Sequence, residues 1–310
     1  MATENVFAGE KQNVFTIEQI YHCSSDITAG IQGQLTFLSA LNSFLSITSF
    51  LGNALILVAL RKESSLNPPS KHLLRCLATT DLCVGLIVEP LCVTLLLIIV
   101  NEHWSFCRYV VVLLAAASYI LCMLSLLTLT AISVDRLLAL LIGLRYRQVV
   151  TRVYLITITF CVVSTACPSV TLFWNSPMML WFLRIVVSLC LVISTFCYTK
   201  IFFTLRHHQH QVQGHVQRPN QANQLNVARY KKAVSTALWV QLMLVARYLP
   251  HLIFVTLLTR AEPSSSIFLT WSYTATLVFL NSSLNPILYC WKMDEVRQAV
   301  KDTIRQVLCC

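Results

Sequence analysis

The stretch YVVVLLAAASYILCMLSLLTLTAISVDR, Tyr109 to Arg136, decides the class of fold. It carries no charged residue before Asp135. That run exceeds the roughly 20 apolar residues that a helix needs to cross a hydrocarbon core. Asp135 and Arg136 close it, and Arg145, Arg147 and Arg152 follow. Ionised side chains are costly in hydrocarbon, so this acid and arginine mark where the chain leaves the membrane.

The rest of the chain agrees. Its 310 residues are 56% hydrophobic and 12% charged, with a mean hydropathy of +0.67. A soluble domain carries about twice that share of charge. The first thirty residues lack the basic start and short apolar core of a cleaved leader, so the first apolar stretch is expected to act as its own insertion signal. Seven stretches are long enough to span, at roughly 35–60, 71–99, 107–140, 151–174, 178–206, 230–259 and 266–291. Lipid offers backbone groups no partner, so each must be helical, and short linkers make successive helices antiparallel neighbours. The final DEVRQAVKDTIRQVL sets Val296, Ala299, Val300, Ile304 and Val307 at helical spacing among charges. It is too polar to span and suits the interface. The expected fold is an all-α membrane protein: a seven-transmembrane helix bundle with a short amphipathic eighth helix. Residues 1–34 form an N-terminal segment, 35–291 the bundle, and 292–310 the amphipathic helix and tail.

Most of the 23 lysines and arginines fall in alternate loops. Arg61, Lys62, Arg145, Arg147, Lys231, Lys232, Lys292 and Arg297 lie on one side, with Lys11, Arg108 and Arg260 opposite. The basic side is cytoplasmic, which puts the N-terminus outside and the C-terminus inside. The net charge of +10 thus serves topology and contact with inner-leaflet lipid and requires no nucleic acid. Most of the 13 cysteines lie within apolar runs, without zinc-ligand spacing, which argues against a disulfide framework.

Three sets of polar residues lie within the spans. Asn53, Asp81, Ser125, Asn281 and Asn285 form an inner cluster. Two readings fit these residue types equally: an enclosed small cation with Asp81 as its charged ligand, or a hydrogen-bonded network that holds the bundle. Pro250 and Pro286 each remove a backbone hydrogen bond and kink a span, as a static bend or as a hinge. Glu89, Arg184 and Arg247 are charges expected in the outer half, with His251 one turn above Arg247. They form either an internal Glu–Arg pair or a pocket for a polar or anionic ligand group. The pair is favoured for Glu89 and the pocket for Arg247.

With these motifs in place, the chain resembles the rhodopsin-like, class A, G-protein-coupled receptors over essentially everything after residue 35. The markers fall in order: Gly52-Asn53; LATTDL with Asp81; SLLTLTAISVDR; RYLP in the sixth span; and Asn285-Pro286-Ile287-Leu288-Tyr289 in the seventh. The resemblance implies that Asp135-Arg136 is the G-protein-coupling motif. It implies that Asn53, Asp81, Ser125, Asn281 and Asn285 form an allosteric sodium site, and that Pro250 is the sixth-span hinge. It makes Tyr198 and Tyr289 a pair steadying the active state, with Tyr248 at the toggle position. Cys309 and Cys310 then look like palmitoylation sites after an eighth helix.

Several positions depart from the pattern. Leu137 replaces the motif tyrosine. Tyr230 stands where many members keep an acid, so no ionic lock to Arg136 is expected. Cys107 falls on the family's glycine and Val111 on its third-span cysteine, and NSPMM supplies no loop cysteine. The standard bridge is therefore excluded. Free thiols are favoured over a bond from Cys107 to Cys23, because no geometry supports one. The short second outer loop and missing fifth-span proline resemble, loosely, the melanocortin branch and its cannabinoid, lysophospholipid and adenosine relatives. Ser118 stands where amine receptors carry an aspartate, which argues against a biogenic amine.

The expected function is transduction of an extracellular ligand (small molecule, lipid or peptide) to heterotrimeric G proteins, with no enzyme activity. Glu89, Ser118, Arg184, Arg247 and His251 are the pocket candidates. Two rivals stand beside it: a diverged, non-coupling seven-helix receptor, and a transporter or channel. The second would favour internal repeats, which the two halves do not show.

Overall fold

The computed structural model describes residues 30–62, 68–142, 176–214, 239, 241–257, 264–292 and 294–308. No strand occurs among them. The helices are α1 (Gln32–Lys62), α2 (Pro68–Cys83), α3 (Glu89–Val100), α4 (Trp104–Ile142), α5 (Ser176–Gly214), α6 (Gln241–Leu257), α7 (Ser265–Lys292) and α8 (Asp294–Leu308). The protein is an all-α membrane protein. The expected fourth span lies outside the described residues, as do Cys23, Tyr230, Cys309 and Cys310.

By length and composition, four described segments can cross a membrane: Gln32–Arg61, Ser70–Val100, Trp104–Ile142 and Trp181–His207. α7 is long enough but less apolar. Its polar residues Ser272, Thr274, Thr276, Asn281, Ser282, Ser283 and Asn285 are all buried. They face the bundle, so average hydropathy understates how apolar the outer side of α7 is. Large apolar side chains on α1 and α5, including Phe37, Phe44, Trp181, Val192 and Phe203, point outward, as a lipid-facing belt requires.

The second span is one helical run, as expected, with a π-helical turn inside it. The π-helical turn Val84–Val88 separates α2 from α3. Pro90 supplies the reason: it has no N–H to donate, and its ring crowds the preceding turn. The Glu89 N–H reaches back to the carbonyl of Val84. The Gly85 carbonyl instead accepts from Ser46 Oγ of α1 at 2.7 Å. A Cβ on Gly85 would lie 2.9 Å from both Phe50 N and Ser49 Cβ, so glycine is what lets α1 approach the turn.

α3 ends in a Schellman-type cap. His103 N–H donates to Ile98 O at 2.9 Å and Glu102 N–H to Ile99 O at 3.2 Å. Glu102 adopts the left-handed φ of 56° that this cap needs. α8 buries Val296, Ala299, Val300 and Thr303. The first three join a core cluster with Ile56, Ala59 and Leu60 of α1, while Ile304 faces outward. A second cluster joins Leu35 and Leu38 of α1 to Val88, Leu95, Leu114 and Phe268.

Candidate functional site

Between these apolar clusters lies a buried polar layer, built mainly by α1, α2, α4, α6 and α7. α1 contributes a stripe at helical spacing: Asn42, Ser46, Ser49 and Asn53. Asn42 Nδ2 donates to Thr276 Oγ1 of α7 at 3.1 Å. Ser49 Oγ donates to the Asp81 carbonyl at 2.9 Å. Asn53 Nδ2 donates to the Ser282 carbonyl at 2.9 Å. That last bond has a specific cause. Pro286 lies inside α7 and lacks the N–H that would reach the carbonyl four residues earlier. Asn53 supplies the missing donor. Beside it, a Cβ on Gly52 would meet the Pro286 ring at 3.1 Å. The Gly52-Asn53 and Asn285-Pro286 motifs are thus two sides of one contact.

Asp81 is the centre of the layer. Its carboxylate accepts from Ser125 Oγ at 2.8 Å, Ser282 Oγ at 2.9 Å and Asn285 Nδ2 at 2.7 Å. Asn281 Nδ2 donates to Ser125 Oγ at 3.4 Å, and Arg247 Nη1 donates to Asn281 Oδ1 at 2.5 Å. All of these side chains are buried. A buried carboxylate has to be hydrogen-bonded, and this one accepts three times; it reaches the Arg247 guanidinium only through Ser125 and Asn281.

Asp81, Ser125, Asn281 and Asn285 are therefore joined as the sequence suggested, with Asn53 linked to them through the Ser282 backbone. Sequence reasoning missed Ser282 and Arg247 as members. Ser282 shares a face of α7 with Asn285 at i, i+3, which was a readable signal. Arg247 was placed with the outer charges, and only the position of α6 against α7 shows otherwise.

No hydrogen bond joins any two of the five pocket candidates. Glu89 is fully buried, and neither carboxylate oxygen has a hydrogen-bond partner. The Glu–Arg pair expected for Glu89 does not form. Arg184 Nη2 donates to the Val255 carbonyl of α6 at 2.8 Å, and its guanidinium lies 4.9 Å from the Trp181 ring centroid. His251 Nδ1 is 3.2 Å from Thr274 Oγ1. Ser118 Oγ donates back to the Ala115 carbonyl of its own helix at 3.2 Å.

At the far end of α4, Asp135 is buried and accepts from Ser70 Oγ of α2 at 2.8 Å, while Arg136 is exposed. Leu137 is buried in a cluster with Cys197, Tyr198, Ile201 and Leu205 of α5. The residue that departs from the motif is thus a packing residue between α4 and α5. Tyr248 is buried in the core cluster that Tyr289 packs against, and the buried Tyr289 hydroxyl has no hydrogen-bond partner. Pro250 lies within α6, half-buried. The expectation for Cys107 is overturned: it is disulfide-bonded, whereas the other described cysteines are free. Its partner lies outside the described residues. Pairing depends on how Cβ atoms meet in space, which spacing along the chain does not encode.

The family model for the 7 transmembrane receptor (rhodopsin family) matches residues 52–178 and 157–289, most of the chain. The chain belongs to the rhodopsin family of seven-transmembrane receptors. Among curated relatives, the adenosine receptor A2b of Bos taurus is 34% identical over 121 residues, 39% of this chain and 35% of that protein. The A2b receptor of Homo sapiens is 33% identical over 114 residues, 36% of this chain and 32% of that protein. The chain therefore aligns with about a third of the length of these relatives. The melanocortin receptor 5 of Mus musculus is 24% identical over 279 residues, 86% of this chain and 82% of that protein. The members of this family are receptors, not enzymes.

Proposed function

We propose that this receptor transduces an extracellular ligand to heterotrimeric G proteins at the plasma membrane, with its N-terminus outside and its C-terminus inside. The observation that carries the reading is the placement of Asp135 and Arg136. Asp135 is tied to α2 through Ser70, while Arg136 projects from the same turn of α4 into solvent. Arg136 lies exposed at the basic end of the bundle, on the surface that a cytoplasmic partner protein would meet. Pro250 and Pro286 are the places where α6 and α7 can bend. The ligand acts by its differential affinity for two packings of the bundle, entering from the end that holds Glu89, Ser118, Arg184 and His251. The names of the relatives point to adenosine and to melanocortins as first ligands to try.

Tyr230 stands where many members of the family keep an acid, and on that departure we expect the receptor to signal without ligand. The test is nucleotide exchange on a panel of purified G proteins. Ligand-free receptor should accelerate exchange on at least one member above an Arg136→Ala control. No acceleration on any member would favour the non-coupling reading. Flux of ions or solutes through receptor-bearing liposomes without G protein would favour the transporter.

A further inference from the structure

We infer that Arg247 is a built-in counter-ion for Asp81, and that it takes the place of the sodium ion which the family resemblance led us to expect there. The argument starts from the oxygens that such an ion would need. A hard cation is held by oxygen lone pairs directed at it. Asp81 Oδ1 already accepts from Ser125 and Ser282, and Oδ2 accepts from Asn285. Ser125 Oγ donates to Asp81 and accepts from Asn281. Asn281 Oδ1 accepts from Arg247. Three of the five residues assigned to a sodium site thus have their oxygens turned to one another or to the guanidinium.

Charge leads to the same answer. Arg247 is buried and sits on the hydrogen-bonded path Arg247–Asn281–Ser125–Asp81. Its positive charge answers the carboxylate. A second cation in the same low-dielectric layer would face like-charge repulsion from the guanidinium.

The arrangement also gives α6 a handle on the layer. A free ion would be independent of α6. A tethered guanidinium moves with it, so any swing of α6 pulls the charge away from Asn281 and Asp81.

The test uses purified full-length receptor and thermal unfolding in sodium chloride against N-methyl-D-glucamine chloride at equal ionic strength. This readout needs no G protein, so its failure and that of the coupling proposal are distinct. Wild type and Arg247→Lys should melt at the same temperature in both salts. Arg247→Gln, which vacates the positive charge, should melt higher in sodium, and adding Asp81→Asn should remove that shift. A sodium-specific rise in wild type that Asp81→Asn removes would overturn the inference, and so would a sodium shift in Arg247→Lys. Absence of any sodium shift in both Arg247→Gln and Arg247→Ala would overturn it as well. If the neutral variants fail to fold, the wild-type and Arg247→Lys measurements decide alone.

Discussion

Asp81 and Glu89 are two buried acids on one membrane span, separated by a π-helical turn, and they live in opposite circumstances. Asp81 accepts three side-chain hydrogen bonds and faces a buried arginine. Glu89 is equally inaccessible and accepts none. Val88 and Cys92, which flank it along the chain, belong to the apolar cluster joining α1, α3, α4 and α7. The difference comes from the helices opposite. α7 turns Ser282 and Asn285 toward Asp81, and α4 turns Ser125 toward it, whereas no donor meets the carboxylate of Glu89. A charge inside a span is therefore not one kind of object. Where neighbours are polar it organises the bundle, and where they are apolar it is a cost kept for some other reason.

The largest effect should come from removing Asp81. Asp81→Leu deprives three buried donors of their acceptor, and each buried donor left unpaired costs about 1–3 kcal/mol. Removing both charges, as in Asp81→Leu with Arg247→Met, should recover part of that loss. Equilibrium or thermal unfolding of the purified receptor measures both. A double variant no more stable than Asp81→Leu would show that the two residues act independently.

A smaller effect belongs to the turn between the two acids. Gly85→Ala would place a Cβ 2.9 Å from Phe50 N and Ser49 Cβ, forcing α1 away and stretching the Ser46 bond to the Gly85 carbonyl. Overpacking of this kind costs about 1–3 kcal/mol. Gly52→Ala, with its nearest contact to the Pro286 ring at 3.1 Å, should cost less. If Gly52→Ala proved the more damaging, the π-helical turn would not be the tighter contact.

The same contrast shows what sequence could deliver. Span number and the amphipathic last helix were legible because hydropathy and helical period are local properties. Asp81, Ser125, Asn281 and Asn285 could be grouped because their depths along the spans match. The capping of the Ser282 carbonyl by Asn53 was not legible, since it needs Pro286 and Asn53 to meet across two helices. Nor was the π-helical turn before Pro90, because a proline alone does not say whether a span kinks, bulges or continues. Arg247 was misjudged in depth. Its partner Asn281 lies on another helix, and the height of α6 against α7 is a tertiary fact. The bonded state of Cys107 is of the same kind.

The smallest predicted effect separates the two acids by sign. Glu89 brings two oxygens into an apolar setting with no donor to meet them. A buried polar group without a partner costs about 1–3 kcal/mol. Glu89→Leu removes those atoms at similar length, so it should leave stability unchanged or raise it by about 1 kcal/mol. Glu89→Gln should gain less, because the amide keeps polar atoms that still lack partners. Unfolding measurements on both variants beside Asp81→Leu give the ordering directly. A loss in Glu89→Leu as large as that in Asp81→Leu would mean that the two acids are structurally equivalent. A stabilised Glu89→Leu that no longer responds to agonist would instead give the reason for keeping the acid: an unpaired carboxyl group held beneath the ligand entrance as an acceptor for the ligand itself.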